Sequence, residues 1–424
     1  MDDRPESLAA RQGALRLMAN VLRDGRMLSD AASGLDGAEA ARALRLAGAA
    51  LRHMARADAM LATAIDRQPH ARVRDILRLA LTEIHVEGAP PYGVVNDAVA
   101  LTRAAPRTAK QAGLVNAVLR RLAEAGEAWA ALPPPRLPAW LRAPVGKAWG
   151  QDRLAGIEAA HLAGAPLDLT PRGDTLAIEG AERLPTGSVR LVQPGQVSAL
   201  PGYADGAWWV QDAAAAIPVR LMQAVAGPLA GRRVLDLCAA PGGKTLQLAA
   251  AGARVTALDL SEARLRRLRE NLARTGLDAE IVAADALDWT PDAPFDAILL
   301  DAPCTATGTI RRHPDLPHLR EHRDIEALTS LQYRLLDRAL GFLAPGGTLV
   351  FCTCSLLPVE GEHQITAALK RHPDLRAAPV DPAAFGLPPE AASAHGLRLL
   401  PDLWADLGGM DGFYMAALTR PDTP

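Results

Sequence analysis

From about residue 206 onward, short apolar runs alternate with helical segments, and this rhythm constrains the fold more than any other feature of the chain. Arg233–Leu237, Arg254–Leu258, Glu280–Ala283, Ala297–Leu300 and Thr348–Cys352 have the character of buried strands. Helical stretches lie between the first of them, and Asp324–Leu343 is the clearest helix. Strands buried on both faces and joined by helices pair in parallel. The expected fold is therefore a Rossmann-like α/β domain over 206–424, a mostly parallel, doubly wound sheet with its ligand at the carboxyl ends of the strands.

The first third has a different period. Leu8, Leu15, Leu17, Met18, Val21 and Leu22 recur at helical spacing, as do the apolar residues from Val73 to His85. Pro90-Pro91-Tyr92-Gly93 interrupts the pattern before Val94–Arg103, and Ala112–Ala123 carries Arg120-Arg121 near its end. This predicts an all-α domain over 1–132, of about five to seven helices. Pro133-Pro134-Pro135-Arg136-Leu137-Pro138 cannot continue a helix, so a linker begins there. It leads into a small Gly/Pro-punctuated subdomain within 133–205.

The chain's net charge of -2 hides an asymmetry. Residues 1–145 hold 20 Lys+Arg against 15 Asp+Glu, whereas the remainder holds 26 against 33. The basic excess lies in the helical third, where contacts to phosphate would use it. Four cysteines do not make a disulfide framework. There is no apolar run of about eighteen residues to span a membrane. The start, Met1-Asp2-Asp3-Arg4-Pro5-Glu6, is acidic and lacks the apolar core of a secretory signal. A reducing cytoplasmic location is expected, with a monomer as the default state.

Strand Val234–Leu237 runs into Cys238-Ala239-Ala240-Pro241-Gly242-Gly243-Lys244-Thr245. Small residues at a strand end let backbone amides approach a ligand. The next strand ends at Asp259, where a carboxylate can accept both hydroxyls of a ribose; the third ends near Asp285, which can accept from an adenine amino group. The turn has neither the Gly-x-Gly-x-x-Gly pattern nor the Walker pattern that cradles phosphates. An adenosine cofactor without phosphates points to S-adenosylmethionine.

Asp301-Ala302-Pro303-Cys304 ends the fourth strand and Cys352-Thr353-Cys354-Ser355 the fifth, so Cys304 and Cys354 flank one cleft. Cytosine C5 is too weak a nucleophile to take a methyl group unaided. A thiolate adding at C6 turns the ring into an enamine whose C5 can attack a sulfonium methyl. Spacing does not decide which cysteine attacks. Asp301 is placed to hold cytosine N3, provided a raised pKa keeps it protonated. Cys238 and Cys352 read as small buried residues. Cys352-x-Cys354 lacks the second ligand pair that a zinc site needs, so no metal is expected.

These residues resemble the RNA 5-methylcytosine methyltransferases of the NOL1/NOP2/Sun (Fmu) family. The likeness rests on Asp236 to Thr245, on Asp301-Ala302-Pro303-Cys304 continuing through Gly308 to Asp315, and on Thr353-Cys354-Ser355 followed by Pro358, Glu360 and Glu362. The resemblance spans about 205–420, including Asp411-Gly412-Phe413, and implies a class I methyltransferase domain. It also implies that Cys354 is the nucleophile and that Cys304 assists proton removal and product release. DNA cytosine methyltransferases attack instead with the Pro-Cys cysteine. Cofactor contacts are implied for Cys238 through Lys244, Asp259, Asp285 and Asp301.

The helical third is similar to the NusB RNA-binding fold, on Asp75-Ile76-Leu77-Arg78, Val94 to Val99 and Gly113 to Arg121. The combination is similar to the RsmB/Sun-type branch and implies 16S rRNA as partner, at a single-stranded or loop cytosine. The same chemistry on tRNA, or a non-catalytic NusB-like antitermination factor, are the alternatives. Arg120, Arg121, Arg311 and Arg312 are the expected phosphate contacts. Relatives carry a longer ferredoxin-like segment at about 165–190, shortened here to a run from Leu167 to Asp174.

Overall fold

The computed structural model describes residues 4–31, 37–173, 175–192 and 195–422. Met1-Asp2-Asp3 and Asp174, named above, lie outside the described residues. The chain divides into two compact units. One comprises Met1–Arg142, His161–Ala163 and Ile310–Arg320; the other comprises Ala143–Ala160, Gly164–Thr309 and Glu321–Pro424.

In the first unit the helices Arg4–Leu22, Gly37–Arg52, Met54–Ala62, Ala71–His85, Pro91–Arg103 and Ala112–Ala123 enclose one apolar core. Ala71–His85 runs through its centre and is buried almost continuously from Val73 to Ile84. A helix covered on all sides must pair any charge it carries. Arg78 accordingly pairs with Asp75 at 3.1 Å and Asp58 at 2.5 Å, and Glu83 accepts from Arg11 at 2.7 Å. Pro91 opens the next helix at a position where its missing N–H costs nothing.

The segment that follows the linker holds features that the sequence did not foretell. Ala139–Trp149 and Gln151–Ala163 are helices, separated by Gly150 at φ +84° and ended by Gly164 at φ +81°. Pro144 inside the first masked its helical period. The expected subdomain 133–205 is not set apart as a unit. Its strands β1 (Leu167–Pro171), β2 (Glu182–Arg183) and β3 (Val189–Leu191) join β4 (Trp208–Val210) in an antiparallel sheet of order β2-β3-β1-β4. This sheet therefore crosses the boundary expected near 205. It is tied to the rest of the unit by a buried ion pair. Asp168 accepts from Arg190 Nε and Nη2 at 2.6 and 2.7 Å and from the Ala213 amide, and Arg190 Nη1 donates to the carbonyls of Leu407 and Gly409.

The main sheet holds β5 (Arg233–Leu237), β6 (Arg254–Asp259), β7 (Glu280–Ala283), β8 (Phe295–Asp301) and β9 (Leu343–Thr353). To these are added β10 (Arg376–Ala377), β11 (Ala392–Ser393), β12 (Gly396–Leu399) and β13 (Phe413–Thr419). The order is β11-β12-β13-β9-β8-β5-β6-β7, with β10 beside β13. β5 to β9 pair in parallel; β13 returns antiparallel against β9. The five strands expected from apolar runs are those five parallel strands, and the expected helix at Asp324–Leu343 is His322–Gly341.

Register then sets the site. Leu237 lies opposite both Leu258 and Leu300, Asp259 opposite Ala283, and Asp301 opposite Cys352. The carboxyl ends of the five parallel strands are thus level. β5 is flanked by β6 and β8, the reversal of winding at which α/β sheets open a crevice.

The Asp168–Arg190 pair generates a stability prediction. Asp168→Ala leaves a guanidinium that is 1% exposed without its carboxylate. The expected cost is about 3–5 kcal/mol, read as a lower denaturant midpoint at unchanged slope. A loss below about 1 kcal/mol would show that the pair does not tie the small sheet to the unit.

Candidate active site at the carboxyl edge of the sheet

β5 ends in a turn whose backbone is committed to an unusual path. Cys238 has φ +63°, and Gly242, at φ +108°, precedes the helix Gly243–Ala250. A Cβ on Gly242 would stand 2.3 Å from Leu268 Cδ1, so glycine is required both by conformation and by space. Ala239 and Ala240 are buried, whereas Pro241 is exposed. The Ala240 amide donates to Asp259 Oδ2 at 3.1 Å, and the Ser261 amide donates to Asp259 Oδ1 at 2.9 Å. Arg264 adds an ion pair with Asp259 at 3.5 Å and donates to the Ala240 carbonyl. In this structure Asp259 therefore holds the turn, and each of its oxygens keeps a further lone pair for a ligand. Asp285 is exposed beyond β7 and accepts from the Leu287 amide at 2.9 Å.

Lys244 turns inward from that helix. Its ammonium lies 2.8 Å from Asp301 Oδ2 and 5.1 Å from the centre of the Phe413 ring. Burial alone would lower the lysine pKa, but the charge of Asp301 and its neighbours outweighs it and the pKa is raised. Asp301 Oδ1 accepts from the Cys352 thiol at 3.5 Å. The thiols of Cys238 and Cys352 are pushed well above the usual range, first by burial and then by the surrounding carboxylates.

Cys304 and Cys354 come together as expected, with their sulfurs 3.5 Å apart. The Cys304 thiol is held well above its ordinary pKa, first by its hydrogen bond with Cys354 and then by burial. In this contact either sulfur can act as the donor. Both loops are braced. The Gly308 amide donates to the Cys354 carbonyl at 2.9 Å, and the Gly412 amide donates to the Gly308 carbonyl at 2.8 Å. A Cβ on Gly308 would strike the Gly412 carbonyl oxygen.

Sequence reasoning gave no role to Arg264 or Gln332, and used Asp236 and Glu360 only as part of the runs that carry the resemblance. Asp236 accepts from Thr245 at 2.6 Å through Oδ2, while its buried Oδ1 has no hydrogen-bond partner among the described residues. An acid in the middle of a buried apolar strand was the available signal. Glu360 follows the Thr-Cys-Ser turn and is wholly buried.

The basic residues divide. Arg120 and Arg121 are exposed at the end of their helix, and Arg121 donates to the Thr63 carbonyl at 3.2 Å. Arg120 borders a surface cavity of about 320 Å³ with Asn96 and Tyr92, and Tyr92 is 78% exposed. Sequence reading had treated Tyr92 only as part of a helix break. The expectation for Arg311 is corrected: its side chain is 0% exposed and has no surface to offer a phosphate. Ile310–Arg320 folds with the helical unit, where burial and then Arg311 lower Arg52 to about 10. Arg312 is half-buried. Among the described residues no group of three or more His, Cys, Asp or Glu could hold a metal ion, and no helix is long and apolar enough to cross a membrane.

A glycine-bearing turn on the first parallel strand, acids at or just past the ends of the next two and cysteines just past the ends of the last two fit a Rossmann-like methyltransferase domain. A solved methyltransferase homologue from Pyrococcus horikoshii is 30% identical, with a TM-score of 0.54, over 66% of this chain and 93% of its own. The profile of the 16S rRNA methyltransferase RsmB/F family matches residues 224–419, and that of the NusB family matches 8–124. The ribosomal RNA small subunit methyltransferase B of Pectobacterium atrosepticum is 36% identical over 81% of both chains. That of Pseudomonas syringae pv. tomato is 38% identical over 82% of both. The chain belongs to the RsmB/F methyltransferase family, with a NusB-family domain ahead of the catalytic one.

Asp236 generates a pH prediction. Burial is the main cause that raises its pKa to about 7; Asp301 and Asp259 add to the rise, while the Thr245 hydrogen bond and Lys244 oppose it. Between about pH 4 and about pH 7 the folded protein then holds a proton that the unfolded chain has lost, so stability falls as pH rises. Asp236→Asn should remove that slope, narrowing the gap between denaturant midpoints at about pH 5 and about pH 8. An unchanged gap would mean that Asp236 is already ionised at the lower pH.

Proposed function

We propose that the protein transfers a methyl group from S-adenosylmethionine to C5 of a cytosine in 16S rRNA, through a covalent bond between Cys354 and C6. The observation that carries the mechanism is the 3.5 Å approach of the Cys304 and Cys354 sulfurs at the strand ends beside Lys244 and Asp301. The names of the relatives support the choice of RNA. Exposed Arg120 and Arg121 suit phosphate contact, and Tyr92, which borders the same cavity as Arg120, suits base stacking. Arg312 is retained as a weaker phosphate candidate.

The residues present suit the cofactor. Small residues from Cys238 to Gly243 let a ligand approach the backbone, and the amides at the start of Gly243–Ala250 suit its carboxylate. Asp259 and Asp285 offer acceptors to ribose hydroxyls and the adenine amino group. When bound, S-adenosylmethionine supplies the electrophilic methyl group.

Cys354 attacks C6 as a thiolate, forming the S–C6 bond while the C5=C6 pair moves to C5. Asp301, whose oxygens already accept from Lys244 and Cys352, is assigned to the Watson–Crick edge of the cytosine as an acceptor for the amino group, in place of the protonated contact to N3 expected from the sequence. After methylation C5 loses its proton to Cys304 as that thiol passes its own proton to the departing Cys354 sulfur, and C5=C6 re-forms. Cys304 assists this stage by donating its S–H to the departing sulfur. The cytosine must be unstacked for C6 to reach Cys354, so an unpaired base is the substrate.

Two measurements test this reading. With 16S rRNA and S-adenosylmethionine, Cys354→Ala should abolish methyl transfer and any protein–RNA adduct that survives denaturation, whereas Cys304→Ala should accumulate adduct. The inverse result would exchange the two roles. Reversing charge at Arg120 and Arg121 together should weaken RNA binding and reduce the slope of log affinity against log salt by about 2. An unaltered slope would remove both from the RNA surface.

A further inference from the structure

We propose that Glu360 is a positioning residue, whose buried carboxylate joins the Cys304 loop to the Cys354 loop and sets the separation of the two sulfurs. The proposal rests on the covalent reading above. Glu360 is 0% exposed. Its Oε1 accepts from the Thr305 amide at 2.9 Å and from Gln332 Nε2 at 3.1 Å. Its Oε2 accepts from the hydroxyls of Thr305 and Ser355. Thr305 directly follows Cys304, and Ser355 directly follows Cys354.

The residues before the two cysteines are held as well. Gln332 donates to the Pro303 carbonyl at 2.8 Å, and the Thr353 hydroxyl donates to the Glu360 carbonyl at 2.9 Å. Each cysteine is thus bracketed on both sides by groups that converge on one residue of the Pro358–Glu360 turn.

The chemistry of a carboxylate explains why Glu stands here. Two oxygens with about four acceptor positions satisfy four donors that arrive from two loops and a helix. A carboxamide offers one acceptor oxygen, and its NH2 would face hydroxyls that already donate inward. An apolar side chain of equal volume would fill the space at lower desolvation cost but leave those donors unpaired. A buried carboxylate whose donors are neutral is a costly way to fill a core and an effective way to fix two backbones. Misplacement of a reacting group by about 1 Å can cost about 100-fold in rate, so the separation of the loops governs the reaction.

The test uses Glu360→Gln, with Glu360→Asp, which keeps the charge but withdraws it by one methylene. In the Gln variant, kcat for methyl transfer to 16S rRNA should fall about tenfold or more, while KM for RNA and the calorimetric affinity for S-adenosylmethionine stay within about twofold. A second readout needs no turnover. Diamide takes up the two thiol hydrogens as Cys304 and Cys354 form a disulfide, scored by peptide mass spectrometry on the free protein. That cross-link should form about fivefold more slowly in both variants, because the sulfurs are no longer held together. Wild-type values of kcat and cross-linking would overturn the proposal. So would a parallel fall in melting temperature, cofactor affinity and activity, since Glu360 would then be structural only. A failure of the covalent reading is seen separately, as Cys354→Ala that still methylates; it leaves the order of the cross-linking rates unchanged.

Discussion

The ion pair between Lys244 and Asp301 is the constraint on which the rest of the catalytic edge depends. It joins the first helix after β5 to the end of β8, the two neighbouring strands at the reversal of winding. Lys244 stands alone between Lys147 and Lys370 in a chain that otherwise uses arginine. Its compact ammonium lies over the Phe413 ring, 5.1 Å from the ring centre. Through Asp301 the same pair reaches the Cys352 thiol, and so the strand that delivers Cys354. One charge inside the sheet thereby orders the cofactor turn and the fifth strand together.

Buried carboxylates do similar work elsewhere. Asp259 gathers the amides of Ala240 and Ser261, Asp168 anchors Arg190 and the small sheet, and Glu360 gathers the loops after β8 and β9. Each is an acceptor placed where several donors from separate segments converge. Such groups add little net stability, because desolvation offsets much of what the bonds return. Their effect is to select one arrangement of loops out of many of similar apolar burial.

Much of the catalytic unit was legible in the chain. Five apolar runs became five parallel strands; β5, β6, β8 and β9 are mostly buried, as their apolar character implied, whereas the edge strand β7 is not. The turn after β5 was readable from its small residues, and the cysteines from their place just past strand ends. The helices at 139–163 were not, since Pro144 and Gly150 imitate a linker. Nor was the burial of Arg311: an arginine beside another arginine looks like surface until the path of its segment is known.

The sequence by itself determined the parallel α/β unit, the all-helical unit, the cofactor turn and the pair of candidate cysteines, because period and local residue chemistry are short-range properties. Only the tertiary structure decided that the two sulfurs lie 3.5 Å apart, that Asp259 clasps the turn, and that Glu360 reaches both cysteine loops. It also decided which arginines face water. Those facts depend on strand register and on contacts between residues that lie tens of positions apart, and no local pattern encodes the distance between them.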